Sequence, residues 1–573
     1  MSLLTDNSRS FWPRGLAALL DYASATHARA LACLALLSLL TFLPGALQLP
    51  PIDREESRFA QATKQMVETG DYVDIRFQDD VRYSKPIGLY WMQAAVVKTA
   101  DTLGVRRALA RISLYRVPSL IGGIGAVLIT YWAALAFVSR RGAVLAATML
   151  ASSLLLGVIA RLAVTDAMLL AATTACMGAM ARAYRLQARG ESDSDHVGWS
   201  LPAIFWTALA VGVLLKGPII VIFVALPVLT LSVLERSVQW LRGLRPLIGT
   251  VWFLLLVAPW FIAISLRTGR FFFLESLGQD MLGRIANISE FRFVPPGVYL
   301  LLFFVTFWPG SLMAALAAPA VWRARHTPPT RFLLAWLIPA WLLFELVWAK
   351  LPHFILPLYP TIAILIAGSI ETFQLSQNRW LVRGTFWWFG LPVLFVLAGL
   401  IFLIRMEGDL GFLAWPFAVA AMIFGFRAWW LYDNDGAERG VLRACAASIL
   451  LGLAVYSVVI PSLRSLFPSD LVARAIRNAG CPDPEVASAG FHEPSVVFLL
   501  GTPTQLTDGA GAAEFLRRGG CRLAVIEARH ERSFAVRADA LGLRYARGAR
   551  IEAVNLPRGR PMSVTIYRSE ERP

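Results

Sequence analysis

The densest run of residues able to do acid–base or anion-binding chemistry is Asp53-Arg54-Glu55-Glu56-Ser57-Arg58. Lys85 beside Pro86, then Asp166, then Lys350 with His353 add charge at the ends of apolar stretches. An ionisable group costs on the order of 2.5–3.5 kcal/mol at the centre of a membrane-spanning helix, and less toward the boundary, unless it is paired or used. Carboxylates and cations converging there could bind an anionic lipid headgroup together with a polar acceptor. A plainer reading of the first run makes Asp53 a helix N-cap with Glu56 three residues on, a variant of the capping box. Acids in a first turn also complement the helix dipole. Local sequence leaves both readings open. A single histidine at a helix start, as His353 is, is more commonly a hydrogen-bonding residue than a catalyst. Asp280 and Arg284, one turn apart, read as an ordinary helix pair, and Phe271–Phe273 as interfacial packing or contact with lipid chains.

The elements that must position these groups are mostly apolar. The 573-residue chain is 57% hydrophobic and 16% charged, with a mean hydropathy of +0.58. About a dozen of its apolar runs approach the roughly 20 residues that cross a bilayer, a repetition that soluble cores do not show. The class is a mainly α, polytopic membrane protein with about thirteen transmembrane helices. They are expected near 30–49, 116–138, 142–160, 167–184, 199–215, 217–234, 247–266, 296–321, 332–349, 354–371, 385–404, 411–430 and 444–466. The net charge of +16 does not point to nucleic acid, because its arginines concentrate in alternate short connectors such as Arg140-Arg141, Arg323/Arg325/Arg331 and Arg439/Arg443. That is the positive-inside pattern. It makes residues 1–29 a cytoplasmic tail, 30–466 the transmembrane domain and 467–573 a domain beyond an inner membrane. The first apolar run lacks a clear cleavage site and reads as an anchor.

Two connectors on the exported side exceed a turn, 51–115 and 267–296. In the first, Phe59, Ala62, Met66 and Val67 share one face of an amphipathic helix over Glu55–Thr69, expected to lie in the interface plane. The tail reads as a small periplasmic α/β domain serving as a cover or docking module. Its strand-like runs are Ser495–Leu500, Leu523–Glu527 and Ser563–Tyr567, and its helical patterns are Asp470–Ala479 and Gly511–Arg518. Cys33, Cys176 and Cys445 fall in spans, whereas Cys481 and Cys521 share the exported tail, where an oxidising compartment permits a disulfide.

Asp53–Gly70 (DREESRFAQATKQMVETG), Tyr83-Ser84-Lys85-Pro86 and Tyr90-Trp91 together resemble the first exported loop of bacterial GT-C glycosyltransferases. That superfamily includes lipid A aminoarabinose transferases and relatives of protein O-mannosyltransferases. Thr165-Asp166-Ala167, Lys216-Gly217-Pro218 and Lys350–Pro357 resemble later motifs, and His492-Glu493-Pro494-Ser495 a tail motif of the aminoarabinose branch. The resemblance runs in order along nearly the whole chain. It implies a GT-C-like fold and transfer of a sugar from a polyprenyl-phosphate carrier to lipid A or lipopolysaccharide core, or else to an exported protein. It implies no required cofactor, although the acidic cluster could take a divalent metal.

The family's essential acid is usually the Asp of an Asp-Glu-x-Arg arrangement. That register places Glu55 in the Asp column, with Asp53 as the competing candidate and Asp166 as the residue that positions the acceptor or the main acid. Arg58 and Lys85, with Lys350 and His353, are implied donor-phosphate contacts. Two positions depart from the pattern, Ser84 for a Glu and Phe354 for a Tyr, and both bear on the choice of sugar or acceptor. Two other classes fit a multispan chain. A transporter or flippase predicts broken helices with polar groups near the midplane, and an assembly scaffold would use only the tail.

Overall fold

The computed structural model describes residues 11–188, 198–269, 272, 295–347, 350–555 and 559–570. Asp280, Arg284, Phe271 and Phe273 lie outside these. Among the described residues, seven helical segments are long and apolar enough to cross a membrane: Ile112–Ala134, Pro246–Thr268, Pro328–Leu346, Pro352–Glu371, Arg379–Glu407, Phe412–Trp430 and Tyr432–Ser462. Three shorter apolar helices accompany them, His27–Phe42, Ser200–Lys216 and Ile219–Glu235. The chain is therefore a multi-pass membrane protein.

The expected span 30–49 is helical only to Phe42, and two others are each broken into two helices. The stretch 142–160 divides into Arg140–Ala151 and Leu154–Ile159, and 296–321 into Val298–Thr306 and Ser311–Arg323, bent by 118°. Ser152-Ser153 and Phe307-Trp308-Pro309-Gly310 make the breaks, and neither carries an ionisable group. Backbone groups released at membrane depth must find partners within the protein, and several do. Leu154 N donates to Trp308 O at 3.3 Å, Ser448 Oγ to Ser152 O at 2.6 Å and Trp388 Nε1 to Pro309 O at 2.9 Å. These breaks are packing junctions, unlike the charged midplane sites a transporter needs.

The loop helix Glu55–Thr69 ends where Gly70 turns left-handed (φ 73°) and its N–H reaches Met66 O. Its apolar face is covered by protein. Phe59, Ala62 and Met66 pack with Ile75, Tyr83, Ile87, Tyr90 and Trp260, while Ala60, Gln61 and Lys64 on its other side are also buried. Its amphipathic pattern marks burial between the membrane bundle and the tail.

The tail forms a five-stranded sheet, preceded in the chain by a two-stranded hairpin of β1 (Arg76–Phe77) and β2 (Asp80–Val81). Its strands are β3 (Glu485–Ala489), β4 (Gln505–Thr507), β5 (Arg522–Glu527), β6 (Tyr545–Asn555) and β7 (Arg560–Ser569), in the order β4-β3-β5-β7-β6. The first three are parallel, and β7 pairs antiparallel with both β5 and β6. Ser495–Leu500, expected as a strand, is helical from Pro494 to Leu500. Proline at a first helical position is pre-organised for the helix, and Val496, Val497 and Phe498 are buried on every side, so β propensity is overridden. Cys481 and Cys521 are bonded, their Cα atoms 5.8 Å apart.

Candidate functional site

Successive residues of an α-helix point about 100° apart, so Glu55 and Glu56 face different surroundings. The Glu56 side chain is 2% exposed and takes Arg116 in a two-pronged pair, Oε1 to Nε at 2.7 Å and Oε2 to Nη2 at 2.8 Å. It also accepts Ile52 N at 2.9 Å and Ala163 N at 2.8 Å. Glu56 is thus a structural anchor with its lone pairs occupied. Glu55, 54% exposed, opens outward with Arg82 Nη2 at 3.4 Å. Arg82 lies over the Phe59 ring and reaches Tyr90 Oη at 3.2 Å.

Asp53 does not cap the loop helix. Its carboxylate accepts Ser495 N at 2.9 Å and Ser495 Oγ at 2.8 Å, binding the start of the tail helix Pro494–Leu500. Burial pushes its carboxyl up to about 6, against the pull of the two Ser495 bonds. Gln61 donates to Thr502 Oγ1 at 2.9 Å, Lys64 to Phe498 O at 3.1 Å, and Gln78 to Thr502 O and Thr504 O, extending the same seam.

A second charged group forms where several helices end together. Asp166, the first residue of Asp166–Ala188, bonds Lys216 Nζ at 2.5 Å, both side chains being 9% exposed. His353 Nε2 lies 3.9 Å from the same carboxylate oxygen. The charge of Lys85 acts on both Asp166 and His353, and that of Glu55 on His353. One site therefore gathers Glu55, Lys85, Asp166 and Lys216 around His353, from five separate segments of the chain.

Two glycines make that gathering possible. A Cβ on Gly122 would stand 2.7 Å from Met168 N, so only glycine lets the helix Ile112–Ala134 cross so near Asp166. A Cβ on Gly88 would stand 2.7 Å from Leu214 O. Its absence seats the start of the helix Gly88–Thr102, and Lys85-Pro86 before it, against the end of Ser200–Lys216.

Arg58 is half-buried beside Arg82 and Glu55, and burial, then the Arg82 charge, holds its guanidinium below its usual basicity. Lys350 donates to Glu345 O at 2.8 Å and Val347 O at 3.1 Å, securing the end of the helix Pro328–Leu346. Lys216, Arg82 and the pair Glu56–Arg116 were not among the expected site residues. The signals for Lys216 were the family resemblance of Lys216-Gly217-Pro218 and a cation closing an otherwise apolar helix. Among the described residues, no group of three or more His, Cys, Asp or Glu side chains is placed to hold a metal.

Two crystal structures share this architecture, both of ArnT from Cupriavidus metallidurans. The apo form superposes with a TM-score of 0.70 and the form bound to undecaprenyl phosphate with 0.71, each at 18% identity over 94% of this chain and 97% of the other. The fold is that of a polytopic membrane glycosyltransferase of the GT-C type. The family described as dolichyl-phosphate-mannose-protein mannosyltransferase matches residues 56–274. An undecaprenyl phosphate-alpha-4-amino-4-deoxy-L-arabinose arabinosyl transferase of Aeromonas hydrophila is 30% identical over 432 residues, covering 71% of this chain and 73% of the relative. The enzyme of the same name from Aeromonas salmonicida is 29% identical over 440 residues, 73% of this chain and 75% of the relative. This chain belongs to the undecaprenyl phosphate-aminoarabinose arabinosyl transferase family and is a polyprenyl-phosphate-sugar-dependent glycosyltransferase.

Proposed function

We propose that the chain moves a sugar from a polyprenyl-phosphate carrier to lipid A or lipopolysaccharide core on the periplasmic face of the inner membrane, its N-terminus cytoplasmic. The observation that carries this reading is an outward-facing carboxylate, Glu55, paired with Arg82 and acting on His353, on which Lys85, Lys216 and the buried Asp166 also act. The relatives' names make undecaprenyl phosphate-linked 4-amino-4-deoxy-L-arabinose the donor to try first.

An acceptor oxygen attacks the anomeric carbon, the bond from that carbon to the carrier phosphate oxygen breaks, and its electron pair departs with polyprenyl phosphate. Attack opposite the leaving group inverts the anomeric centre. Lys85 and Arg58 offset the charge that grows on the leaving phosphate. Glu55 takes the proton of a hydroxyl acceptor. With a lipid A phosphate as acceptor no proton need move, and Glu55 orients the donor and balances charge. Asp166 holds Lys216 and His353 at the back of the site. Asp53 is assigned to fastening the tail, and Lys350 to fastening its helix.

The test is transfer of labelled sugar in proteoliposomes containing lipid A, comparing wild type with Glu55→Gln, Lys85→Ala and Asp53→Asn, and with an exported protein as a second acceptor. Loss of transfer in the first two with retention in Asp53→Asn is expected. Transfer that needs Asp53 and tolerates Glu55→Gln overturns the assignment, and transfer to the protein alone moves the acceptor to that class.

A further inference from the structure

A cleft of about 1140 Å³ opens between the tail and the connector that precedes the span Ile112–Ala134. Arg106, Arg107, Arg111 and Arg477 line it, with Asp483 and Glu485 as its acids. Glu485 is already paired with Arg522 at 2.8 Å. None of the four arginines makes an ion pair or a side-chain hydrogen bond among the described residues, and all four are exposed. Four arginines facing one acid not already engaged, Asp483, leave the cleft with excess positive charge, so the cluster favours an anion. Arg111 directly precedes the first residue of a membrane span, and Leu103 near it is 78% exposed. The cleft therefore opens at the level where lipid headgroups lie. Arginine is sparse on the exported face of membrane proteins, the side to which the proposed function assigns this loop. Four in one cleft there call for a ligand.

We propose that this cleft binds the phosphate-bearing headgroup of an anionic membrane lipid, at a site separate from the charged group around Asp166. Guanidinium forks match phosphate oxygens in geometry and charge. The volume exceeds what a lone phosphate occupies and lies just above the range of small-molecule pockets, about 300–1,000 Å³, which leaves room for a headgroup. A lipid seated there would bridge the tail to the membrane surface, since Arg477 belongs to the tail and the other three to the connector.

The experiment titrates full-length protein in a neutral detergent with phosphatidylglycerol, bisphosphorylated lipid A, phosphatidylcholine and inorganic phosphate, reading binding by native mass spectrometry. Saturable binding of one or both anionic lipids is expected, weakened by added salt, with phosphatidylcholine inert. A preference for lipid A over phosphatidylglycerol identifies the glycolipid as the occupant, and the reverse a glycerophospholipid. The double variant Arg111→Ala/Arg477→Ala should bind at least tenfold more weakly, and Arg111→Lys/Arg477→Lys should recover part of the loss. Lys85→Ala should leave this binding intact, so a failure of the proposed catalytic site is distinguishable from a failure here. Asp483→Asn, which removes no cation, should tighten binding severalfold and serves if the double variant does not fold. Unchanged binding in the folded double variant or in Asp483→Asn overturns the site, and equal competition by inorganic phosphate overturns its assignment to lipid.

Discussion

Replacing Glu56 with alanine removes a carboxylate that two N–H groups of Arg116 and the backbone N–H groups of Ile52 and Ala163 all use. The other Arg116 bonds, to Ala46 O, Leu49 O and Pro50 O, keep the guanidinium in place with its charge uncompensated. Breaking a buried pair from one side costs about 3–5 kcal/mol, and the orphaned backbone donors, at about 1–3 kcal/mol each, push toward the upper end. One residue earlier, the side chain of Glu55 is 54% exposed and its ion pair with Arg82 spans 3.4 Å, worth about 0–1 kcal/mol. Glu55→Gln should therefore leave stability nearly unchanged while lowering transfer, by about 10²–10⁴ with a hydroxyl acceptor, the range for loss of a general base. Equilibrium denaturation of the purified protein, followed by tryptophan fluorescence, run beside the transfer assay separates the two. A Glu56→Ala variant as stable as wild type, or a Glu55→Gln variant with undiminished transfer, would refute the division of labour drawn between them.

Lys216→Ala leaves the buried Asp166 without its 2.5 Å partner. Transfer should fall at least tenfold (a loss of about 1.4 kcal/mol of barrier lowering) and recover in part in Lys216→Arg, and wild-type kcat/KM in the alanine variant would contradict this. The Asp53 carboxyl, raised from 3.8 to about 6 by burial, binds its proton more tightly in the folded chain. Its contribution to stability is therefore full below 3.8 and is lost as pH rises through about 6. Melting temperatures from pH 4 to 7 should show that component in wild type and lack it in Asp53→Asn, so identical profiles would remove Asp53 as its source. Reduction of Cys481–Cys521, 40 residues apart, should destabilise the tail by about 4 kcal/mol on the loop-entropy account. Unaltered protease resistance of the tail after reduction would count against this. Gly122→Val should disrupt the crossing that sets Asp166 and abolish transfer, measured with the disulfide intact as a check on the tail fold.

The membrane class was legible in the sequence because lipid demands long apolar helices, and that demand is written in composition and length. The candidate residues Glu55, Lys85, Asp166 and His353 were legible as charges that an apolar environment tolerates only when paired or used. The interruptions at Ser152-Ser153 and Phe307–Gly310 were not legible, because Leu154 N, Ser448 Oγ and Trp388 Nε1 supply the distant partners that make a broken helix affordable. The same holds for Ser495–Leu500, whose β-branched run became helical under burial from two sides.

Sequence by itself determined the segregation of apolar from charged segments, and with it a membrane bundle carrying a tail of different composition. Tertiary structure decided what each acid does. Asp53, Glu55 and Glu56 are chemically near-equivalent within four positions, and nothing local separates them. Ser495, Arg82 and Arg116 separate them, each brought from elsewhere in the chain. A carboxylate takes its role from the charges and donors around it, and those are set by packing over distances that local sequence does not encode.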